Sequence, residues 1–405
     1  MLKRQPMSIG VFPGTAGFFL LPPIENADTF MPSLLQGFLP EPCPKEWQFF
    51  LAAIEGEPVE RVNELLPDTK EGHFNRFILF PEKRNYKKAE SMLDGDLKLL
   101  LDAVAWRLNF KQDPPHFQDD TADEIKAFIL ATHAYDAFQK RDWTKGIQLL
   151  EGAAQTVKEI SPIFSARLLS EAAATKQSLG FIDQRLIDLY KTALTLTERS
   201  KFEDMRAELT FQLGTAYQEL ADGNKTYYLE AIKCYNKALK VYRKENAPEN
   251  YAIIHMNLAL SYLAMPPNEY NYHLKNAMAI QSLREALRYL DQEKHTELWC
   301  SATINLANAL QYAKSSHIED NLWEAVALYE DVLKVRKKET DPHGYARLIA
   351  NQGTALSHLG AFSSAVPKLT EAKQIFEELR DEESKKVVED MLLEIKKKKE
   401  ELSKQ

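Results

Sequence analysis

Cysteine is scarce in this chain. Cys43, Cys234 and Cys300 are odd in number and far apart in 405 residues. That pattern favours a reducing, cytoplasmic setting over a disulfide framework. Long apolar runs are missing too. A spanning helix requires about 20 consecutive apolar residues, so no membrane role is expected. The run from Met7 to Ile24 follows Lys3 and Arg4 as a secretory leader would. However, Gly10, Pro13, Gly14, Gly17, Pro22 and Pro23 interrupt it and no small-x-small cleavage signal follows, so an ordered N-terminal arm is expected instead. Positive charge is in deficit, with 51 Lys and Arg against 59 Asp and Glu and a net charge of −8. That balance argues against a nucleic-acid partner.

Chemistry-bearing motifs are equally sparse. The nine histidines form no HExxH or paired metal spacing, so no metal site is expected. Gly10, Gly14 and Gly17 lack the Lys-Ser/Thr that completes a phosphate loop. Asp94-Gly-Asp96 reads as a turn or helix start, and Lys396–Lys399 as a solvated helix end. The first 110 residues offer His73, Arg76 and several carboxylates, but no triad or dyad. The chain is therefore expected to be non-enzymatic and to need no cofactor.

Proline is unevenly spread: thirteen of the 19 lie before residue 120. The first part is thus irregular, and the second can be nearly continuous helix. Residues 1–44 read as an extended Pro-rich arm in which regular structure is not expected. Residues 45–118 read as a small helical N-terminal domain. Its helical stripe is Trp47, Phe50, Leu51 and Ile54, followed by helices over 58–66 and 93–108. Pro114-Pro115 marks a boundary, after which Thr121 and Glu124 predict a capping box.

A repeat occupies residues 121–380. Small residues recur in a first helix, A, at Ala134, Ala174, Gly214, Ala259, Ala307 and Gly353. A second helix, B, carries Gly146, Leu186, Ala231, Ala279, Ala325 and Ala365, and seven residues later Ala153, Ala193, Ala238, Ala286, Val332 and Ala372. Four residues after each first B position stands a bulky residue: Leu150, Tyr190, Tyr235, Leu283, Tyr329 or Leu369. The joint from B to the next A is read as 21 residues each time. The A-to-B distances are 12, 12, 17, 20, 18 and 12, which places insertions in repeats three to five near 222–228, 266–275 and 315–321. Pro162, Pro248 and Pro342 each suit the first turn of a following helix A. Residues 381–405 read as a charged capping helix with Val387, Val388, Met391, Leu392 and Ile395 as its apolar positions.

A small residue in A, then small residues 12 and 19 later, resembles the packing signature of the tetratricopeptide repeat (TPR) family. YLEAIKCYNKALKVYRKENAPENYAIIHMNLALSY and NLWEAVALYEDVLKVRKKETDPHGYARLIANQGTAL are similar to the long-helix TPR arrays of bacteria, many of them linked to CHAT or signalling domains. The resemblance implies an all-α fold: a right-handed α-solenoid of about six TPR-like helix pairs with a C-terminal capping helix, preceded by the small helical domain and its arm. It implies a scaffold or adaptor that binds a protein or peptide partner on its concave face, which helix A lines. The alternative is an accessory or regulatory subunit of one bacterial enzyme, contacting it through the N-terminal domain.

Two surfaces are candidates. Two residues before each helix A small residue stand Thr132, Ala172, Gln212, Asn257, Asn305 and Asn351, with Asn308 and Arg347 nearby. The last four of these six form an amide ladder, and amides offer the donor and acceptor that an extended peptide backbone requires. The same asparagines could instead bond neighbouring helices. The second surface is the insertion edge, with Tyr227, Tyr228, Tyr270, Tyr272, His273 and His317. Aromatic side chains there could dock a partner or fold back onto the helices.

Overall fold

The computed structural model describes residues 10–266, 272–313 and 317–402. The regular elements among the described residues are nineteen α-helices and two short 3-10 turns. The first six helices are α1 (Ala27–Leu34), α2 (Gln48–Ile54), α3 (Val59–Glu64), α4 (Lys70–Leu79), α5 (Lys83–Glu90) and α6 (Gly95–Arg107). Six A/B pairs follow. They are α7 (Asp123–Gln139) with α8 (Trp143–Val157), α9 (Pro162–Ser178) with α10 (Gln184–Thr197), and α11 (Glu203–Leu220) with α12 (Lys225–Ala238). The rest are α13 (Pro248–Ala264) with α14 (Tyr272–Leu287), α15 (Thr296–Gln311) with α16 (Ile318–Val335), and α17 (Pro342–His358) with α18 (Phe362–Glu378). The last helix is α19 (Glu382–Leu402). The chain belongs to the α-solenoid class. No helix among the described residues is long and apolar enough to cross a membrane. Two compact units are distinguished, Met1–Ala216 and Tyr217–Gln405.

In the first unit the opening stretch is part of the core. Val11, Phe12, Phe19 and Leu21 are buried with Trp47, Phe49, Phe50 and Ile163. Prolines strip this stretch of backbone donors, and side chains supply the missing partners. Asn75 bonds both the amide and the carbonyl of Leu20 at 2.8 Å, and the Trp47 indole donates to the Pro22 carbonyl at 2.9 Å. The prolines predict no regular structure before residue 45, yet α1 forms, its Phe30 ring edge-on to Trp47 at 6.3 Å. The predicted capping box is also absent. Thr121 Oγ1 accepts from the Gln118 amide at 3.0 Å, while Asp96 of α6 takes the Ala122 amide at 3.0 Å and α7 opens at Asp123.

The repeat positions explain themselves by packing. Ala134, Ala259 and Ala307, with the B-helix alanines, are fully buried. A Cβ on Gly146 would lie 2.1 Å from the Phe138 ring, and one on Gly353 2.8 Å from Leu369. Pro162, Pro248 and Pro342 each open a helix A. One register needs correction. Ala174 is exposed, while Ala173 is fully buried. Ala173 is also the twelfth residue of α9, as Ala134, Gly214, Ala259, Ala307 and Gly353 are of their helices. The first joint is therefore 20 residues and the other four are 21. The position two before the small residue in repeat two is Glu171, not Ala172.

Among the described residues, the insertions lengthen the start of helix B. The first small B position is the seventh or eighth residue of α12, α14 and α16, but the third or fourth of α8, α10 and α18. About one extra turn thus precedes it in repeats three to five.

The bulky B positions divide into two kinds. Tyr190, Tyr235 and Tyr329 are fully buried, and each hydroxyl meets a glutamine of its own helix A: Tyr190 donates to Gln177 at 3.0 Å and Tyr235 to Gln218 at 2.9 Å, while Tyr329 lies 3.1 Å from Gln311 and gives its one proton to Asn308 at 2.6 Å. Where the B residue is Leu150, Leu283 or Leu369, the matching A residue is Phe138, Leu263 or Ser357. A buried hydroxyl needs a partner, and the sequence supplies one wherever tyrosine stands.

In the second unit α13, α15 and α17 touch one another as well as their B partners, so helices A form its inner layer. α19 closes this unit by laying Val388 and Ile395 on Leu369, Ile375 and Phe376, while Val387 faces solvent.

Candidate partner-binding face

The tenth residue of each helix A carries the predicted ladder, and the rungs are not alike. Thr132 is buried and donates back to the Phe128 carbonyl at 2.9 Å. Glu171 accepts from the Tyr135 hydroxyl. Arg107 of α6 stacks over Tyr135 at 4.3 Å and Phe128 at 4.8 Å. Burial raises the Glu171 pKa, and the Arg107 charge partly offsets that. Burial also lowers Arg107 to about 10, which leaves it cationic at neutral pH. In the first unit, therefore, Arg107 of α6 lies over Tyr135, the side chain that engages the second rung. Gln212 bonds Glu208 of its own helix at 2.7 Å.

The second unit holds the three asparagine rungs. Asn257 donates to the Ile253 carbonyl of its own helix at 3.0 Å. Asn351 donates to Asn308 Oδ1 at 3.1 Å, and Tyr329 donates to the same oxygen at 2.6 Å. Two donors on one oxygen fix which end of the Asn308 amide is carbonyl. Its Nδ2 is left with no partner among the described residues, and Asn305 has none at either end.

These groups stand where two cavities meet. One, of 620 Å³, is walled by Tyr262, Leu263, Ala309 and Tyr312, with Lys275 and Gln218 at its rim. The other, of 360 Å³, is walled by Arg336, Asp341, His343, Arg347 and Asn351. Asn305 and Asn308 line both. Asp341 is already engaged, accepting from the Gly344 amide at 2.8 Å and facing Arg336 Nε at 3.5 Å. Arg347 is exposed and pairs with no acid among the described residues. Lys275 donates to the Pro266 carbonyl at 3.1 Å, and burial together with Lys225 lowers its pKa.

Asn305, Asn308, Asn351 and Arg347 thus come together. Asn257 and Gln212 do not join them. Tyr227 lies in the first turn of α12 and stacks on Tyr217 at 5.9 Å, with Tyr228 buried beside it. Tyr270 and the Tyr272 side chain lie outside the described residues. Among the described residues the insertion edge exposes His273 and His317 together with the apolar Leu229, Leu274, Met278 and Trp323. Sequence reading missed Tyr262, Tyr312 and Arg336. They lie off the ladder register, and only their distance from the small residues, three after Ala259 and five after Ala307, could have marked the tyrosines. In the N-terminal region His73 sits 2.9 Å from Asp68 and 3.4 Å from Arg76.

The spacing of the small residues in the helix pairs resembles the tetratricopeptide repeat. No protein-family model and no curated protein matches the chain. Among solved structures it is similar to the apo form of RapI, at 14% identity over 87% of this chain and 97% of that one, with a TM-score of 0.47. It is also similar to BtubC (BKLC) from P. vanneervenii, at 19% identity over 60% and 92%, with a TM-score of 0.45. Aspartyl phosphate phosphatase F from Bacillus subtilis follows at 12% identity over 81% and 90%, with a TM-score of 0.40.

Proposed function

We propose that this chain is a non-enzymatic scaffold or adaptor of the bacterial cytoplasm. Its partner, a protein or peptide, lies as an extended segment along the inner face of the second unit. The observation that carries this reading is the pair of unspent amides, Asn305 and Asn308 Nδ2, at the junction of two cavities. Helix-interior asparagine is unfavourable for the helix itself, and an unpartnered one there serves neither the fold nor a neighbouring helix. An extended backbone would satisfy both groups.

A partner captured from native extract tests this. Asn305→Ala should weaken its binding about five- to tenfold, the loss of one or two hydrogen bonds. Asn257→Ala should leave binding unchanged, because that amide is spent within its own helix. Equal binding by wild type and Asn305→Ala would show the inner face to be the wrong surface.

A second reading, a subunit devoted to one enzyme, is favoured by the exposed Leu229, Leu274, Met278 and Trp323 on the extended B helices. A permanent partner would cover that edge.

A further inference from the structure

We infer that the chain also binds a small amphipathic carboxylate at the insertion edge, in a cavity between the starts of α12 and α14. The site rests on neither reading above.

Three of the four exposed apolar residues at this edge, Leu229, Leu274 and Met278, converge on one cavity of 370 Å³. Tyr262 of α13, with Met265 and Pro266 just beyond that helix, completes its wall. The cavity shares Tyr262 and Lys275 with the 620 Å³ cavity, but none of the asparagines. Clefts that hold small molecules run from about 300 to 1,000 Å³, and their walls are mostly apolar with a few placed polar groups. A volume near the low end of that range suits one apolar tail, and such a tail would take Leu229, Leu274 and Met278 out of water.

The placed polar groups are two lysines. Lys225 opens α12, and Lys275 stands in the first turn of α14. No acid lines the cavity among the described residues, and neither lysine meets a carboxylate there, in a chain whose net charge is −8. Lys275 gives two of its three protons to the Met265 and Pro266 carbonyls. That fixes its head at the cavity wall and leaves one proton to offer. Burial lowers the Lys275 pKa and Lys225 lowers it further, so the two ammonium groups repel each other at this site. A carboxylate has two oxygens and can meet one lysine with each, which replaces the repulsion by two charge-assisted hydrogen bonds. The partial positive charge of two helix N-termini acts in the same sense. A cationic head would add a third positive charge, and a neutral head would leave both lysines unmatched.

Isothermal titration calorimetry on the full-length protein tests this, with octanoate, 1-octanol, octyltrimethylammonium and acetate as probes. Octanoate should bind saturably and outbind octanol by about fivefold or more, with the advantage shrinking as salt is raised. Acetate, a head without a tail, and octyltrimethylammonium should give no measurable binding. Lys225→Glu, at an exposed position, should erase the advantage of octanoate, whereas Lys386→Glu, exposed on α19, should keep it. Met278→Glu should abolish octanoate binding. Thermal melting of each variant checks that it is folded.

Equal binding of octanoate and octanol overturns the inference. So does an octanoate advantage that survives Lys225→Glu, or octanoate binding that survives Met278→Glu. Absence of saturable octanoate binding at millimolar concentration overturns it too. If octanoate fails and a partner captured from native extract is lost by Met278→Glu, the cavity belongs to that protein partner; the second reading then stands and this inference falls. None of these outcomes touches the inner-face reading, which is tested at Asn305.

Discussion

Gln218 holds two hydroxyls at once. Its Oε1 accepts from Tyr235 at 2.9 Å and from Ser261 of the next repeat at 2.8 Å. Burial pushes the Tyr235 hydroxyl well above its ordinary pKa, so it stays a protonated donor that needs this acceptor. Gln218→Leu should therefore destabilise the protein by about 1–3 kcal/mol, the cost of stranding a buried polar group. Adding Tyr235→Leu should recover much of the loss, because Leu is what other repeats place there. Urea denaturation of the single and double variants measures both effects; an additive pair would disprove the coupling. This Tyr–Gln correspondence is legible in the sequence once the repeat register is known. The register in repeat two is not: Ala172, Ala173 and Ala174 are consecutive, and composition cannot tell which of three alanines faces the neighbouring helix. Asn308 marks a similar limit. Its position is readable, but which of its two ends is spent depends on Tyr329 and Asn351 reaching the same oxygen.

Among the elements, α19 is held by a polar lock as well as by apolar contacts. Asp381 caps it, accepting from the Ser384 amide at 3.0 Å, and His343 of α17 meets the other carboxylate oxygen at 3.0 Å. Hydrogen bonds from Ser384, then from His343, hold the Asp381 carboxyl down at about 2. A folded-state pKa below the unfolded one means that the unfolded chain binds the extra proton first. The contribution is thus full above the ordinary carboxylate range and is lost as pH falls from about 4 toward 2. Amide exchange of α19 should quicken across that window, and Asp381→Asn should make it fast already at neutral pH; an α19 indifferent to both would remove the lock from the account. The capping helix itself was readable from its half-polar pattern. The N-terminal elements were less so, because their stability is not local. Asn75 pairs with Leu20 from 55 residues away, and Asp96 caps α7 across 26 residues. No window of sequence contains both partners.

At the scale of the molecule, the helices of the second unit pack only on chain neighbours and next-but-one neighbours among the contacts of substance. Stability in such an array is nearly a sum of nearest-neighbour terms. Leu369→Ala, at a fully buried position, should cost about 2–5 kcal/mol locally. Hydrogen exchange followed by mass spectrometry should show protection falling in α16–α19 and holding in α2–α10. An equal fall everywhere would mean that the chain unfolds as one cooperative body. The six helix pairs were legible because small residues must recur wherever helices approach closely. The candidate site was legible only in part, because periodicity marks where a side chain stands and not whether its hydrogen bonds are already taken.

The Tyr–Gln contacts each close within a single repeat: Gln177 with Tyr190, Gln218 with Tyr235, Gln311 with Tyr329. A repeat of this kind brings its own buried polar partner with it. Lineages that gain or lose such a repeat need not re-solve its interior. A copy of repeat five would also carry a second Asn305 and Asn308, set one helix step further along the inner layer. On the inner-face proposal, the array would then span a longer segment, one rung for each added repeat.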